Sequence, residues 1–186
     1  YTKAIVVVHY AGVACDMDPI LKVAADHGVV VVEDAAQAID SYYRGRPLGT
    51  IGELGAFSFH ETKNVISGEG GLLSVNHPRY AARAEIIREK GTNRSSFFRG
   101  EVDKYGWVDI GSSFLPSDIV AAYLYAQLEN LETIQTRRKA IWNRYASHFS
   151  NVLPRHGVSL PKLPDWATNN AHMFYLVARN LAQRSA

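Results

Sequence analysis

The sequence predicts an α/β domain built on a mostly parallel sheet. Three observations carry that expectation. Ala4-Ile5-Val6-Val7-Val8 and Val29-Val30-Val31-Val32 are short unbroken apolar runs, the pattern of strands covered on both faces. Between them, Asp16 to Gly28 keeps apolar residues at helical spacing, which supplies the crossover that parallel strands need. Both runs end in polar residues, His9 and Glu33-Asp34, where open α/β sheets bind their ligands.

Each element follows in order. Residues 4–8 form the first strand, and His9-Tyr10-Ala11-Gly12 is its exit turn. Asp16 and Asp18-Pro19 signal a helix start, Ile20, Val23 and Ala24 share its face, and His27-Gly28 ends it. Val29–Val32 is the second strand. Tyr43-Arg44-Gly45-Arg46-Pro47-Leu48-Gly49 reads as a short hairpin, Leu54–Phe59 as a third strand, and Gly68–Gly71 as a tight turn into a fourth strand, Leu72–Val75. Pro78 to Lys90 is a helix closed by Gly91, and Thr92 to Trp107 a long polar loop. Pro116-Ser117-Asp118 opens a helix whose stripe runs from Val120 to Phe149, so it bridges two domains or bends near Thr133–Lys139. Residues 170–178 are a further strand. Buried strands close to both ends lead us to expect a segment of a longer protein.

Composition narrows the function. Across 186 residues, 47% are apolar types and 20% charged, as in a globular protein, and the net charge of +2 is too small to argue for nucleic acid. No apolar run is long enough to span a bilayer, and the start has no signal-peptide pattern, so a cytoplasmic protein is expected. The single Cys15 and dispersed histidines offer no metal set. His60-Glu61 does not continue into His-Glu-x-x-His, because position 64 is Asn, and no serine sits in a Gly-x-Ser-x-Gly elbow.

Three residue types near the strand ends match the needs of pyridoxal 5'-phosphate: an amine for the aldehyde (Lys63), a carboxylate for the pyridine nitrogen (Asp34) and a donor for the phosphate (Ser58). From spacing alone these remain open. A loop lysine also fits a solvated charge, and an acidic pair ending a strand also fits a cap or a metal ligand.

The segments VVEDAAQ (31–37), GELGAFSFHETKN (52–64), Gly68–Gly71 and AEIIREKGTNR (84–94) resemble the DegT-type sugar aminotransferases. The resemblance runs from residue 1 to 186. It implies a fold-type-I pyridoxal phosphate-dependent transferase, with part of the three-layer large domain over 1–125. A linking helix and the start of a small α/β domain would occupy 126–186. Carried over by position, Lys63 matches the Schiff-base lysine, Asp34 the carboxylate at the ring nitrogen, Gln37 the polar side chain near the ring, and Ser58 the phosphate-contacting serine. One departure stands out. Where much of the family has Gly-Tyr-Asn-Tyr-Arg, with its Asn reaching the phosphate bound by the other subunit, this chain has Gly111-Ser112-Ser113-Phe114-Leu115, so Ser113 takes that place.

FHETKN, GTNRSSFFRGEVDKYGW and DIGSSFLPSD resemble the branch acting on a dTDP-linked keto sugar, with glutamate as donor and 2-oxoglutarate as product. The implied assembly is a homodimer with a shared site, and Arg94, Arg99 and Lys104 are candidates for a diphosphate or a donor carboxylate. A sister branch that dehydrates sugars has His where Lys63 stands. A non-catalytic binding module on the same fold would not need the Asp34/Lys63 pair.

Overall fold

The computed structural model describes residues 1–185. Four strands form the main sheet in the order β1 (Ala4–Val8), β2 (Val30–Asp34), β5 (Leu54–Ser58), β6 (Gly71–Val75). The first three are parallel, and β6 runs antiparallel to β5. The crossover from β1 to β2 is α1 (Met17–His27), closed by Gly28 in the left-handed conformation with φ of 61°. A two-stranded ribbon, β3 (Tyr42–Tyr43) with β4 (Arg46–Pro47), lies in the connection from β2 to β5.

Strand alternation sends Val31 and Glu33 to one face and Val32 and Asp34 to the other. α1 and the 35–52 connection cover the first face. There Met17, Val31, Ala35, Tyr43 and Leu48 are at most 1% exposed. The connection lies close on the strands: Gly49 has φ of 83°, and a side chain there would run into the Phe57 ring. On the opposite face Val6 and Val8 are exposed, so β1 is not buried on both sides as its apolar run predicted. A continuous valine run is compatible with either state, and only the covering elements decide between them.

Three further expectations change. The long helix is two, α4 (Asp118–Glu129) and α5 (Leu131–Phe149), and the break is at Asn130 rather than within 133–139. Asn130 turns its own amide onto the Ala126 carbonyl at 2.8 Å, competing with the helical ladder. The 92–107 loop contains α3 (Arg94–Phe98), where Phe97 packs on Phe98 and Tyr105. α2 (Ala81–Arg88) precedes it, after a 3-10 turn over Pro78–Tyr80.

Residues 170–178 are not a strand. The backbone of 170–173 is gripped by α5 side chains instead, and Val177 makes only an isolated bridge to Ser159. Gln135 donates to the Asn170 carbonyl, Arg138 to those of Ala171 and His172, and Trp142 to that of Met173. These donors fall on one helical face. Phe174 completes the seam against Trp142, Tyr145 and Phe149. A last short helix, α6 (Leu181–Ser185), follows. No helix among the described residues is long and apolar enough to cross a membrane.

Glu33 is wholly buried and organises the covered face. Its Oε2 accepts from His9 Nε2 at 2.9 Å and from the Gly49 N–H at 2.7 Å, and its Oε1 from the N–H groups of Ile51 at 2.6 Å and Gly52 at 2.7 Å. Burial alone would raise this carboxyl, but hydrogen bonds from His9, Gly52, Gly49 and Ile51 outweigh it and hold the pKa below its ordinary 4.5. We expect Glu33→Gln to cost about 3 kcal/mol or more, because its NH2 group would oppose N–H donors. Asp34→Asn, which keeps an acceptor oxygen, should cost less than about 1 kcal/mol. Urea unfolding of both variants tests the contrast. The Glu33 contribution is complete above the unfolded pKa and is lost as pH falls through the lower folded value, so the gap between wild type and Glu33→Gln should narrow in acid.

Candidate active site

The register places Asp34 in the middle of the parallel strands, opposite Val8 on one side and Ala56 on the other. Ser58 is two residues beyond Ala56 and therefore shares the face of Asp34, at the carboxyl end of the next strand. This is the face that α1 does not cover. Asp34 is half-buried, and its Oδ1 accepts from the Ala36 N–H at 3.1 Å. Among the described residues its second oxygen has no hydrogen-bond partner. The Ser58 hydroxyl oxygen accepts a long 3.3 Å contact from the His60 N–H, and its hydrogen is donated to no acceptor among the described residues.

Lys63 lies on the 59–70 loop that joins β5 to β6. The loop is tied at its base, where Gly68 and Gly70 hold positive φ on the way into β6. Phe59 N–H donates to Gly70, Ser67 N–H to Phe59 and Glu61 N–H to Gly68. The Lys63 N–H donates to the His60 carbonyl at 2.9 Å. Its side chain is half-buried, and its ammonium group makes no ion pair or hydrogen bond among the described residues. Half-buried Asp40, by contrast, is paired with Lys139 at 2.8 Å.

Gln37, on the turn after β2, braces the turn after β1. Its Oε1 accepts from the Ala11 N–H at 2.6 Å, and Ala11 holds a left-handed φ of 59°. That bond fixes the amide orientation and leaves its NH2 group available. Lys63, Asp34, Ser58 and Gln37 thus all sit at or past the carboxyl ends of adjacent strands, and Asp34 and Ser58 share the uncovered face.

Ser113 is not brought to this group. It is exposed and bridges to Glu89 just after α2. There it helps line a separate cavity of about 190 Å³ with Arg88, Lys90, Tyr105 and Trp107. The loop cations divide as well. Arg99 is committed inside the chain, to Glu101 at 2.7 Å and to Glu85 at 3.0 Å, and both acids raise its pKa. Arg94 lies over the Phe98 ring at 5.2 Å.

Sequence reasoning missed a buried polar network beside Lys63, formed by Asn64, Gln135, Asn170 and His172. Its one local trace is the pair Asn169-Asn170 before Ala171, a position with a left-handed φ of 53°. Burial, followed by the charges of Lys63 and Arg138, lowers the His172 pKa from 6.5 to about 4.

Comparison with known proteins places this geometry. Residues 1–186 match the model of the DegT/DnrJ/EryC1/StrS aminotransferase family. The chain is 35% identical over 178 residues to the spore coat polysaccharide biosynthesis protein SpsC of Bacillus subtilis, covering 94% of this chain and 45% of that protein. It is 34% identical over 182 residues to the GDP-perosamine synthase of Caulobacter vibrioides, covering 98% and 46%. It superposes on the crystal structure of S. venezuelae DesV, solved in complex with a ketimine intermediate, with a TM-score of 0.81 and 33% identity over 94% of this chain and 44% of that one. The chain spans about half the length of the curated relatives it matches. Its fold is therefore part of the fold-type-I aminotransferase architecture, and the chain belongs to the DegT/DnrJ/EryC1/StrS aminotransferase family, whose cofactor is pyridoxal phosphate.

Proposed function

We propose that this chain carries the cofactor-binding half of a sugar aminotransferase. Its reaction would convert a nucleotide-linked 4-keto-6-deoxy sugar to the 4-amino sugar with glutamate as donor. The specific reading is dTDP-4-dehydro-6-deoxyglucose to dTDP-4-amino-4,6-dideoxygalactose, for surface polysaccharide assembly. The observation that carries the catalytic reading is that Asp34 and Ser58 share one face at neighbouring strand ends, and that the loop leaving β5 carries Lys63, whose amine has no partner among the described residues. The sugar class is supported by the relatives SpsC and GDP-perosamine synthase. The dTDP assignment rests on the FHETKN and DIGSSFLPSD segments.

The residues present fit pyridoxal phosphate. One carboxylate oxygen of Asp34 and the hydroxyl hydrogen of Ser58 are unused within the chain, and Lys63 has no internal counter-ion to displace. When bound, the cofactor carries the amino group and accepts the electron pair released at the reacting carbon. Lys63 would hold the cofactor aldehyde through its Nζ, and as a free amine it would take up and return the proton at the reacting carbon. Asp34 would keep the proton on the pyridine nitrogen. Ser58 would donate to the phosphate, and Gln37 would offer its free NH2 to the ring. Ser113, remote from this group, would donate to the phosphate bound by a second copy in a cytoplasmic homodimer. Residues 1–125 form part of the large domain and 126–186 lead into the small one.

We expect Lys63→Ala in the full-length enzyme to abolish the borohydride-fixed cofactor adduct, seen by mass spectrometry of the Lys63 peptide, and to lower turnover by about 10³-fold or more. Retained turnover would remove the assignment. Asp34→Asn should still take up cofactor but slow proton abstraction about 10²-fold, read in single-turnover kinetics as a lower rate with a larger α-deuterium effect from the amino donor. Ser58→Ala should weaken cofactor retention about tenfold in equilibrium dialysis with an unchanged melting temperature, since its hydroxyl has little to lose inside the fold.

A further inference from the structure

The residue after Lys63 has no part in the reading above, yet it is among the most constrained side chains in the molecule. Asn64 is 5% exposed. Its Nδ2 donates to Gln135 Oε1 at 2.9 Å and to the Asn170 carbonyl at 2.8 Å, while its Oδ1 lies 2.8 Å from His172 Nδ1. Both amide hydrogens and the oxygen are used. The partners are 71, 106 and 108 residues further along the chain. Asn170, fully buried, passes the network on by donating to the carbonyls of Gln37 at 2.7 Å and Ile39 at 2.9 Å. One continuous set of bonds therefore runs from the turn after β2, through residues 170–172, to the turn that carries Lys63.

The network also sets the state of the imidazole. Turning the Asn64 amide over would set its oxygen against two acceptors, so Oδ1 faces His172 and the ring must present Nδ1–H. Nε2 is then an acceptor, with no hydrogen-bond partner among the described residues. Two cations stand around the ring, Lys63 from the 59–70 loop and Arg138 from α5, which donates to the His172 carbonyl at 2.9 Å. The Asp40–Lys139 pair closes the far end of the network, where Gln135 Nε2 donates to Asp40 at 3.1 Å.

We propose that Asn64 is a positioning residue for Lys63: its side chain pins the lysine-bearing turn to α5 and residues 170–172, and holds the neighbouring His172 ring in the Nδ1–H tautomer with Nε2 free to accept a hydrogen bond. This inference rests on Lys63 being the cofactor-holding amine. Placing the amine by its neighbour's side chain leaves the lysine side chain itself free of internal bonds. Keeping the ring neutral spares the site a third cation.

The test uses full-length protein stripped of cofactor and then given pyridoxal phosphate. The rate of borohydride-trapped adduct on the Lys63 peptide is followed against pH, and the His172 ring is titrated by NMR. In the parent protein His172 should stay neutral from about pH 5 to about 8. Asn64→Asp puts a carboxylate against the ring and against the Asn170 carbonyl. His172 should then titrate above its ordinary value, the trapping rate at neutral pH should fall about tenfold or more, and the pH profile should move to higher pH. His172→Leu should slow trapping likewise, and His172→Gln, which can still donate to Asn64 Oδ1, should recover most of the loss.

An unshifted profile in folded Asn64→Asp would overturn the proposal. So would equal rates for the Leu and Gln variants, which decide the matter if Asn64→Asp does not fold. Absence of any Lys63 adduct in the parent protein would instead overturn the cofactor assignment.

Discussion

The burial of the Glu33 carboxylate is the constraint on which the covered face depends. A carboxylate with no solvent is stable only where donors replace its water, and here four donors converge on it. They come from the exit of β1 and from residues 49–52, so the 35–52 connection must cross the sheet to reach it. That crossing lays Tyr43, Leu48 and Ile51 over the strands and closes the core above α1. His9 is drawn in by the same anion. Its Nδ1 accepts from the Cys15 N–H at 3.3 Å, which leaves the proton on Nε2 to face Glu33.

One residue further, the same strand does the opposite. Asp34 projects from the other side of the sheet and keeps an oxygen unused. The period of two in a strand is thus what separates a carboxylate that holds the fold from one that stays available for chemistry. Ser58 falls on the available side through its register with β2, and Lys63 follows on the next loop. These groups stand at the ends of strands whose positions are set by the buried face, so they are held by the sheet while Asp34 keeps one oxygen and Ser58 its hydroxyl hydrogen unused.

The second organising feature is the seam between α5 and residues 170–174. Side chains, not a neighbouring strand, satisfy this stretch of backbone, and that choice brings Asn170 and His172 beside the lysine loop. The surroundings of Lys63 therefore come from segments more than 70 residues apart. A buried network of this kind is stable only when each member is satisfied, and Asn64, Gln135 and Asn170 each have partners for their amide groups.

Much of this was legible in the sequence. Branched apolar runs, a helical spacing between them and acids at a strand end marked β1, α1, β2 and the position of Asp34. The motifs around Lys63 carried the family. What the sequence left open shares one physical reason. Alternation states that Glu33 and Asp34 point apart, but not which is inside; that depends on which face the 35–52 connection covers. Val6 and Val8 read as buried because apolar runs do not report their cover. The helix break falls at Asn130, where a side chain competes with the backbone, and residues 170–178 have strand composition but bond through 170–173 to α5 side chains. Local pattern determined the elements, their order and the site-bearing ends. The burial of Glu33, the openness of the Asp34 face and the Asn64 network were decided by contacts between distant segments, which leave no periodic trace along the chain.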